Sequence, residues 1–240
     1  MVKREVFGDP DLDKDQVISR YLELSKFIDL LRTNELHLEP AANFDDRLEG
    51  TLPEAIRQSM REHLEKEGSQ QSVEELEFER KLITNLSCWT IGPEDNMALW
   101  KIYGGSSQSV AISTTVERLI TAAFNWCPEG RVLIKKVRYI NHGGTLPDGV
   151  YSLDQHIFGF KHIAYSYERE VRVILTRPSG AMRKALRLPL NFNDFALNII
   201  VAPEAPEWFF KLVKDVAEKY VVTVPVEKSE LVYLIDKAIK

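Results

Sequence analysis

The chain has 240 residues, two cysteines and a formal net charge of −5. A chain of this length buries a core that needs no disulfide or metal support, so we expect one domain over residues 1–240. Cys88 and Cys127 do not form a CxxC pair, which excludes a disulfide framework and favours a reduced, cytoplasmic setting. No apolar run reaches the length of a membrane span and the first residues carry no apolar signal segment, so we expect no membrane partner.

The first half of the chain predicts two strands on either side of a helix, followed by a helical insertion. Residues 26–34 repeat apolar side chains at helical spacing, and Ser25 is a suitable N-cap for that helix. From about 53 to 86 the chain is rich in Glu, Arg and Gln and is interrupted at 67–69, so we expect two exposed helices there. The other elements of this half are a strand at 18–24, a strand at 36–38 and a loop at 40–50.

The second half predicts mostly strands, with helices between them. Residues 109–115 are rich in β-branched side chains, which favour a strand. The expected fold class is therefore α+β, with a central mixed or antiparallel sheet and flanking helices. The expected strands are 109–115, 132–140, 168–175, 185–190, 199–201 and 221–226, and the expected helices are 96–103, 116–124 and 206–220.

The segment 165–175 is the most informative stretch because its charges follow a regular order. Successive side chains of a strand alternate, so Glu168, Glu170 and Arg172 are expected to share one face. Two carboxylates beside an arginine are suited to acid/base work, or to stabilising a cation, if that face lines a cleft. The alternative is a solvated edge strand that carries alternating charges.

Charge is distributed unevenly along the chain. Residues 1–100 carry 12 Lys and Arg against 22 Asp and Glu, whereas residues 131–190 carry 11 against 4. A basic segment around the two glutamates suits a phosphate-bearing partner, either a nucleotide or a nucleic acid. The alternative is that these cations neutralise the acidic half of the chain within the fold.

An acidic loop and a set of aromatic residues each have a functional and a structural interpretation. The loop binds a divalent cation through oxygen ligands, or it makes Asx turns that cap the next element, and we favour the turns. The aromatic rings stack on a base, or they pack in the core, and we favour packing. The histidines lack the spacing of zinc ligands, so we expect no metal. The residues concerned are Asn43, Asp45, Asp46 and Glu49 in the loop, Trp89, Trp100 and Tyr103 among the aromatics, and His142, His156 and His162.

A series of short motifs occurs in a specific order over nearly the whole chain. The motifs are Tyr21-Leu-x-Leu, Asn43-Phe-Asp-Asp-x-x-Glu49-Gly, Ser87-Cys-Trp89, Asn96-Met-Ala-Leu-Trp100-Lys-Ile-Tyr103-Gly, Ser109-Val-Ala-Ile, Tyr167-Glu-Arg-Glu170-Val-Arg172 and Val226-Glu-Lys-Ser229-Glu-Leu. In this order the chain resembles the bacterial proteins grouped as DUF2971. That family has no assigned reaction, so the chemistry rests on the residues themselves.

The initial strand, helix and strand, the Ser/Thr-bearing central strand and the late Glu-x-Glu also resemble, distantly, the ADP-ribosyltransferase arrangement. Cleavage of the bond between nicotinamide and ribose builds positive charge on the ribosyl carbon, which a nearby carboxylate stabilises. An arginine holds the pyrophosphate, and a hydroxyl orients the ribose. The resemblance implies catalytic roles for Glu170 and Glu168, and cofactor-binding roles for Arg20, Tyr21, Ser113, Thr114, Trp89 and Arg172.

The resulting expectation is an NAD-dependent ADP-ribosyltransferase-like enzyme, with a protein or a nucleic acid as acceptor, in the role of a bacterial toxin or anti-phage effector. NAD is then a substrate. Two other classes remain open: a non-catalytic module that binds a nucleotide or nucleic acid, and a metal-dependent nuclease that uses the acidic loop. A transferase requires Glu170 in a pocket, and a nuclease requires carboxylates clustered around an ion.

Overall fold

The computed structural model describes residues 5–92, 95–105, 107–126, 131–144, 157–177 and 184–231. These residues form an α+β fold with a large mixed sheet, which confirms the expected fold class. The strands are β1 (Glu5–Gly8), β2 (Val17–Glu23), β3 (Glu35–Pro40), β4 (Thr84–Ile91), β5 (Ser109–Thr115), β6 (Arg131–Lys136), β7 (Arg138–Ile140), β8 (Phe160–His162), β9 (Glu170–Thr176), β10 (Leu186–Pro189), β11 (Asn198–Val201) and β12 (Val226–Lys228). The helices are α1 (Leu24–Thr33), α2 (Glu54–Lys66), α3 (Val73–Ile83), α4 (Met97–Tyr103), α5 (Val116–Trp126), α6 (Phe192–Phe195) and α7 (Glu207–Lys219).

The large sheet has the strand order β1-β6-β9-β4-β2-β5-β11-β12, and β3 joins it through pairs with β4 and β10. Strands β7 and β8 form a separate parallel pair. Three short 3-10 helices, Ala41–Asn43, Ile157–Gly159 and Ile163–Glu168, connect these elements. None of the helices in the described ranges has the length and apolar character needed to cross a membrane.

Contacts between Cα atoms divide the chain into two compact units. The first unit comprises Met1–Asp11, Leu38–Cys88 and Cys127–Leu186, and the second comprises Leu12–His37, Trp89–Trp126 and Arg187–Lys240. The expectation of a single domain therefore stays a prediction.

In the first unit, β6 lies between β1 and β9. It runs parallel to β1 and antiparallel to β9, where Lys135 is opposite Arg172. Every residue of β9 from Glu170 to Leu175 is buried, so both faces of this strand are covered and its charged side chains lie inside the protein. One hydrophobic cluster of this unit consists of Ala41, Leu86, Leu133, Phe158 and Ile174.

In the second unit, β5 is the central strand. It is antiparallel to both β2 and β11, and β12 adds to β11 in parallel. The observed bounds of β5 are those predicted from its β-branched residues. The Tyr21 ring meets the Trp100 ring edge-on, with 4.8 Å between centroids, in a cluster with Leu99, Ala111 and Ala202.

The expected helical insertion is present as α2 and α3. Ser72 caps α3 in a reciprocal capping box with Glu75, which explains where the second helix begins. Arg57 on α2 lies 3.2 Å from the buried carboxylate of Glu77 on α3, so an ion pair ties the two helices together. The insertion ends at Ile83, because residues 84–86 belong to β4.

Three boundary predictions are wrong. Helix α1 begins at Leu24, so Ser25 lies inside the helix and does not cap it. The strand predicted over 132–140 is divided at Val137, which lies between β6 and β7 although its N–H still donates to the carbonyl of Glu170 on β9. The last strand is Val226–Lys228, and the positive φ of 56° at Val221 is incompatible with the strand predicted from 221.

Trp100 and Tyr103 lie one helical turn apart on α4 but in different environments. Trp100 is 3% exposed, which confirms the packing interpretation, whereas Tyr103 is 44% exposed and is not a core residue. We therefore expect Trp100→Ala to lower the free energy of unfolding by about 3–5 kcal/mol. Tyr103→Ala is the matched control, with a smaller expected loss of about 1 kcal/mol. Urea unfolding of both variants measures the difference, and equal losses would contradict it.

Candidate active site: a buried ionic cluster

The candidate active site lies in the first unit and is made of five ionisable side chains. Glu170 and Arg172 come from one face of β9, and Lys161 comes from β8. Glu49 comes from the loop before α2, and Glu168 is the last residue of the 3-10 helix Ile163–Glu168. All five are buried. We call this set the ionic cluster.

Arg172 has no exposed surface and is the centre of the ionic cluster. Its Nη1 and Nη2 atoms donate to the two carboxylate oxygens of Glu49, at 2.7 and 2.8 Å. Nε donates to Glu170 at 2.6 Å, and Nη1 also donates to the carbonyl of Phe158 at 3.0 Å. The bidentate contact with Glu49 matches the planar fork of a guanidinium, so the side chain has one well-defined orientation.

Lys161 joins the two glutamates that the sequence analysis singled out. Its Nζ donates to Glu170 at 2.6 Å and to Glu168, and it lies 4.6 Å from the centroid of the Tyr165 ring. Lys161 reaches this position because β8 pairs with β7, where Lys161 is opposite Tyr139. The hydroxyl of Tyr139 accepts a 2.7 Å hydrogen bond from the backbone N–H of Glu170, which fixes the start of β9.

Glu168 belongs to a different secondary-structure element from the one predicted. It does not lie on a strand with Glu170, since β9 begins only at Glu170. Arg169, between them, adopts the left-handed conformation with a φ of 47°. That turn allows Glu168 from the 3-10 helix and Glu170 from β9 to bond to the same side chain, Lys161. The alternative of a solvated edge strand is wrong, because Glu168, Glu170 and Arg172 are all buried.

The environments of the two glutamates push their pKa values apart. Burial raises the pKa of Glu168 to about 7, and the hydrogen bond and negative charge of Glu170 act in the same direction. Burial also acts to raise the pKa of Glu170, but the charge of Arg172, the hydrogen bond from Glu168 and the charge of Lys161 hold it well below its usual range. Below neutrality the pair thus shares one proton, which resides on Glu168, and that proton is lost as pH rises through about 7.

The thiol of Cys88 is not an available nucleophile. Burial raises its pKa to about 12, and the negative charge of Glu170 is the next largest cause. A thiol with such a pKa stays protonated at neutral pH, and only the thiolate is strongly nucleophilic. Cys127 lies outside the described residues.

The structure separates the sequence-predicted site residues into two groups. Glu168, Glu170 and Arg172 belong to the first unit and are in contact. The other five belong to the second unit, and each has a structural partner. These five are Arg20, Tyr21, Trp89, Ser113 and Thr114.

Each of these five residues contacts another residue of the second unit, and all but Arg20 are buried. Arg20 donates to the carbonyl of His37 at 3.2 Å, and the Tyr21 hydroxyl accepts from the N–H of Asn96 at 3.2 Å. Trp89 packs edge-on against Phe195, with 5.7 Å between centroids. The Ser113 hydroxyl donates to Asn198, and the Thr114 hydroxyl donates to the Phe195 carbonyl at 2.5 Å. The buried ring of Trp89 favours packing over stacking on a ligand.

The acidic loop uses its polar groups for local structure. The Asp46 carboxylate accepts from the N–H of Leu48, two residues on, which is an Asx turn, and Asn43 donates to Glu39. Glu49 turns inward to Arg172. Within the described ranges, no group of three or more His, Cys, Asp and Glu side chains is placed to hold a metal ion.

Sequence reasoning missed two members of the ionic cluster. Glu49 was noted only as an oxygen ligand in the acidic loop, and its charge partner Arg172 is 123 residues away. Lys161 was not singled out at all. No signal in β8 marks it, because a lysine next to an apolar residue is typical of the exposed face of a strand, whereas Phe160 and Lys161 are both buried.

Comparison with protein-family models, with curated proteins and with solved structures finds no match to this chain. The resemblance to DUF2971 and the distant resemblance to ADP-ribosyltransferases therefore stay predictions from the sequence. The class that the fold defines is α+β with a central mixed sheet.

The ionic cluster predicts that a buried arginine contributes much more to the free energy of unfolding than an exposed arginine does. Arg172→Ala leaves Glu49 and Glu170 buried without their main cation, so we expect unfolding free energy to fall by about 3–5 kcal/mol. The control is Arg187→Ala, since Arg187 pairs at the surface with Asp29 and is worth about 0–1 kcal/mol. Urea denaturation of both variants tests this, and a similar small loss in each would show that the ionic cluster is not structural.

Proposed function

We propose that the protein is an enzyme that transfers the ADP-ribosyl group of NAD to an acceptor, with Glu168 and Glu170 as its catalytic carboxyl groups. The observation that carries the proposal is the pair itself: two buried carboxyl groups bonded to the same lysine, of which Glu168 titrates near neutrality and Glu170 stays ionised. A pair of titratable groups with separated pKa values is typical of acid/base sites. The distant sequence resemblance supplies the substrate.

In the proposed reaction, the bond between the ribosyl carbon and the nicotinamide nitrogen breaks, and nicotinamide leaves as a neutral base with the bonding electron pair. The Glu170 carboxylate stabilises the positive charge that develops on the ribosyl carbon. An acceptor hydroxyl forms the new bond to that carbon, and its proton passes to ionised Glu168. The pKa of about 7 suits Glu168 to this step, because both protonation states are populated near neutrality.

Arg172 acts in this proposal as a positioning residue for Glu170. Its Nε, Nη1 and Nη2 atoms already donate to Glu170, Glu49 and the Phe158 carbonyl, so the guanidinium is occupied by protein acceptors. The role of pyrophosphate ligand inferred from the sequence therefore has less support for Arg172 than the role of orienting the carboxylate.

The basic segment, residues 131–190, provides little evidence for a surface that binds nucleic acid. Two of its cations, Lys161 and Arg172, are buried and paired with carboxylates of the same unit. They are thus unavailable for phosphate contacts at a surface. The alternative, that these cations neutralise the acidic half of the chain, agrees with the pairing of Arg172 with Glu49, whereas Lys161 pairs with Glu168 and Glu170 of its own segment.

The test is incubation with NAD labelled in its adenylate portion, together with protein, RNA and DNA acceptors. We expect label on one acceptor class, and a loss of rate by about 10²–10³-fold in Glu168→Gln, which keeps the shape of the protonated acid but cannot take a proton. Glu77→Gln is the control, since Glu77 is a buried glutamate on α3 bound to Arg57 and to the N–H of Leu52.

Thermal unfolding of both variants accompanies the assay, so that loss of fold is not mistaken for loss of chemistry. Wild-type protein that releases no nicotinamide and labels no acceptor would overturn the proposed function. Full activity in Glu168→Gln would remove Glu168 from the mechanism.

A further inference from the structure

A short exposed segment covers the ion pair between Lys161 and Glu170. We define this cover segment as residues 163–169, which comprise the 3-10 helix Ile163–Glu168 and Arg169. Glu168 is the one buried residue of the segment, whereas Ile163 is 54% exposed and Tyr167 is 40% exposed. With so little apolar burial, the segment gains little stabilisation from hydrophobic packing.

The attachments of the cover segment converge on Glu168 and Lys161. The Glu168 carboxyl is bound to Lys161, and the Tyr165 ring lies against the same Nζ. The Tyr167 hydroxyl donates a hydrogen bond to Glu168. Two backbone hydrogen bonds lie near its ends: the Ala164 N–H donates to His162 Nδ1 at 3.2 Å, and the Arg169 N–H donates to the Ser166 carbonyl at 3.3 Å.

The charges beneath the cover segment balance only when Glu168 is protonated. Glu49 and Glu170 then face Lys161 and Arg172, which gives two negative and two positive charges. Ionised Glu168 adds a third carboxylate to a buried site with two cations. The groups that act directly on Glu168 are Lys161 from β8, Glu170 from β9, Tyr139 from β7 and Tyr167 from the segment itself. Of the other groups in the ionic cluster and around it, Arg172 from β9 and Cys88 from β4 act on Glu170, Glu49 from the loop before α2 acts on Arg172, and Tyr165 lies against Lys161.

We propose that the cover segment is a proton-controlled lid that closes over Lys161 and Glu170 when Glu168 is protonated and opens when Glu168 ionises. Opening carries the Glu168 carboxylate into water, where its charge is solvated, and leaves Lys161 and Glu170 as a neutral pair. Arg169 is the hinge, since its left-handed conformation is strained for a residue with a Cβ and relaxes when the segment moves.

The direction of the pH effect follows from proton linkage. In the closed state the pKa of Glu168 is raised from 4.5 to about 7, whereas in the open, solvated state it returns to its ordinary value. The ratio of closed to open molecules is therefore highest below about pH 4.5, and it falls as pH rises towards 7. Each pH unit in that window lowers the ratio of closed to open molecules by about tenfold.

Hydrogen exchange at the backbone amides of the cover segment tests this lid. We expect the protection factor of the Arg169 amide, which is bonded within the segment to the Ser166 carbonyl, to fall by about 40-fold between about pH 5 and about pH 7 after correction for intrinsic exchange. Glu168→Gln cannot ionise, so its protection should be the same at both pH values. Glu77→Gln retains the ionic cluster and should show the wild-type fall.

Two results would overturn the lid. The first is a wild-type protection factor that does not change with pH. The second is a fall that persists in Glu168→Gln. Protection that is lost as pH decreases would contradict the lid as well, because protonation of Glu168 is expected to close the segment. Since the measurement requires no substrate, its outcome is independent of the proposed transferase activity.

Discussion

The first unit depends on the burial of one cation. The guanidinium of Arg172 has no contact with solvent, and it bonds to Glu49, to Glu170 and to the carbonyl of Phe158. An unpaired charge in such a place costs several kcal/mol, so each acceptor must stay in position as long as the unit is folded. Because these acceptors come from a loop, a strand and a 3-10 helix, one side chain fixes three parts of the chain.

The need to pair buried cations also explains why Glu168 titrates differently from Glu170. Arg172 is satisfied by Glu49 and Glu170, and Lys161 pairs with Glu170 as well. Lys161 is bonded to both Glu168 and Glu170, so burial of Glu168 is tolerated most easily in the neutral form. A site built to hold Arg172 thereby produces a group that titrates near neutrality, and both the chemistry proposed for the pair and the proposed lid use that property.

Local patterns were sufficient for much of the fold and insufficient for the site. The run of β-branched residues predicted β5 with its observed bounds, and the composition of 53–86 predicted α2 and α3. Strand alternation correctly paired Glu170 with Arg172, but it placed Glu168 on the strand, because a left-handed turn at Arg169 has no sequence signal when the residue is not glycine. Two features depend on tertiary contacts that no local pattern encodes. These are the pairing of Glu49 with Arg172 and the burial of Lys161 beside Glu168 and Glu170.

The separation of Glu49 and Arg172 along the chain also bears on how the protein is made. Glu49 is synthesised 123 residues before its cation, so its carboxylate stays hydrated until the later part of the chain has emerged. Contacts between such distant residues form late, since the loop entropy must be lost before the bond forms. Bonds made after the folding transition state slow unfolding more than they speed folding. We therefore expect the ionic cluster to lower the unfolding rate of the folded protein more than it raises the folding rate.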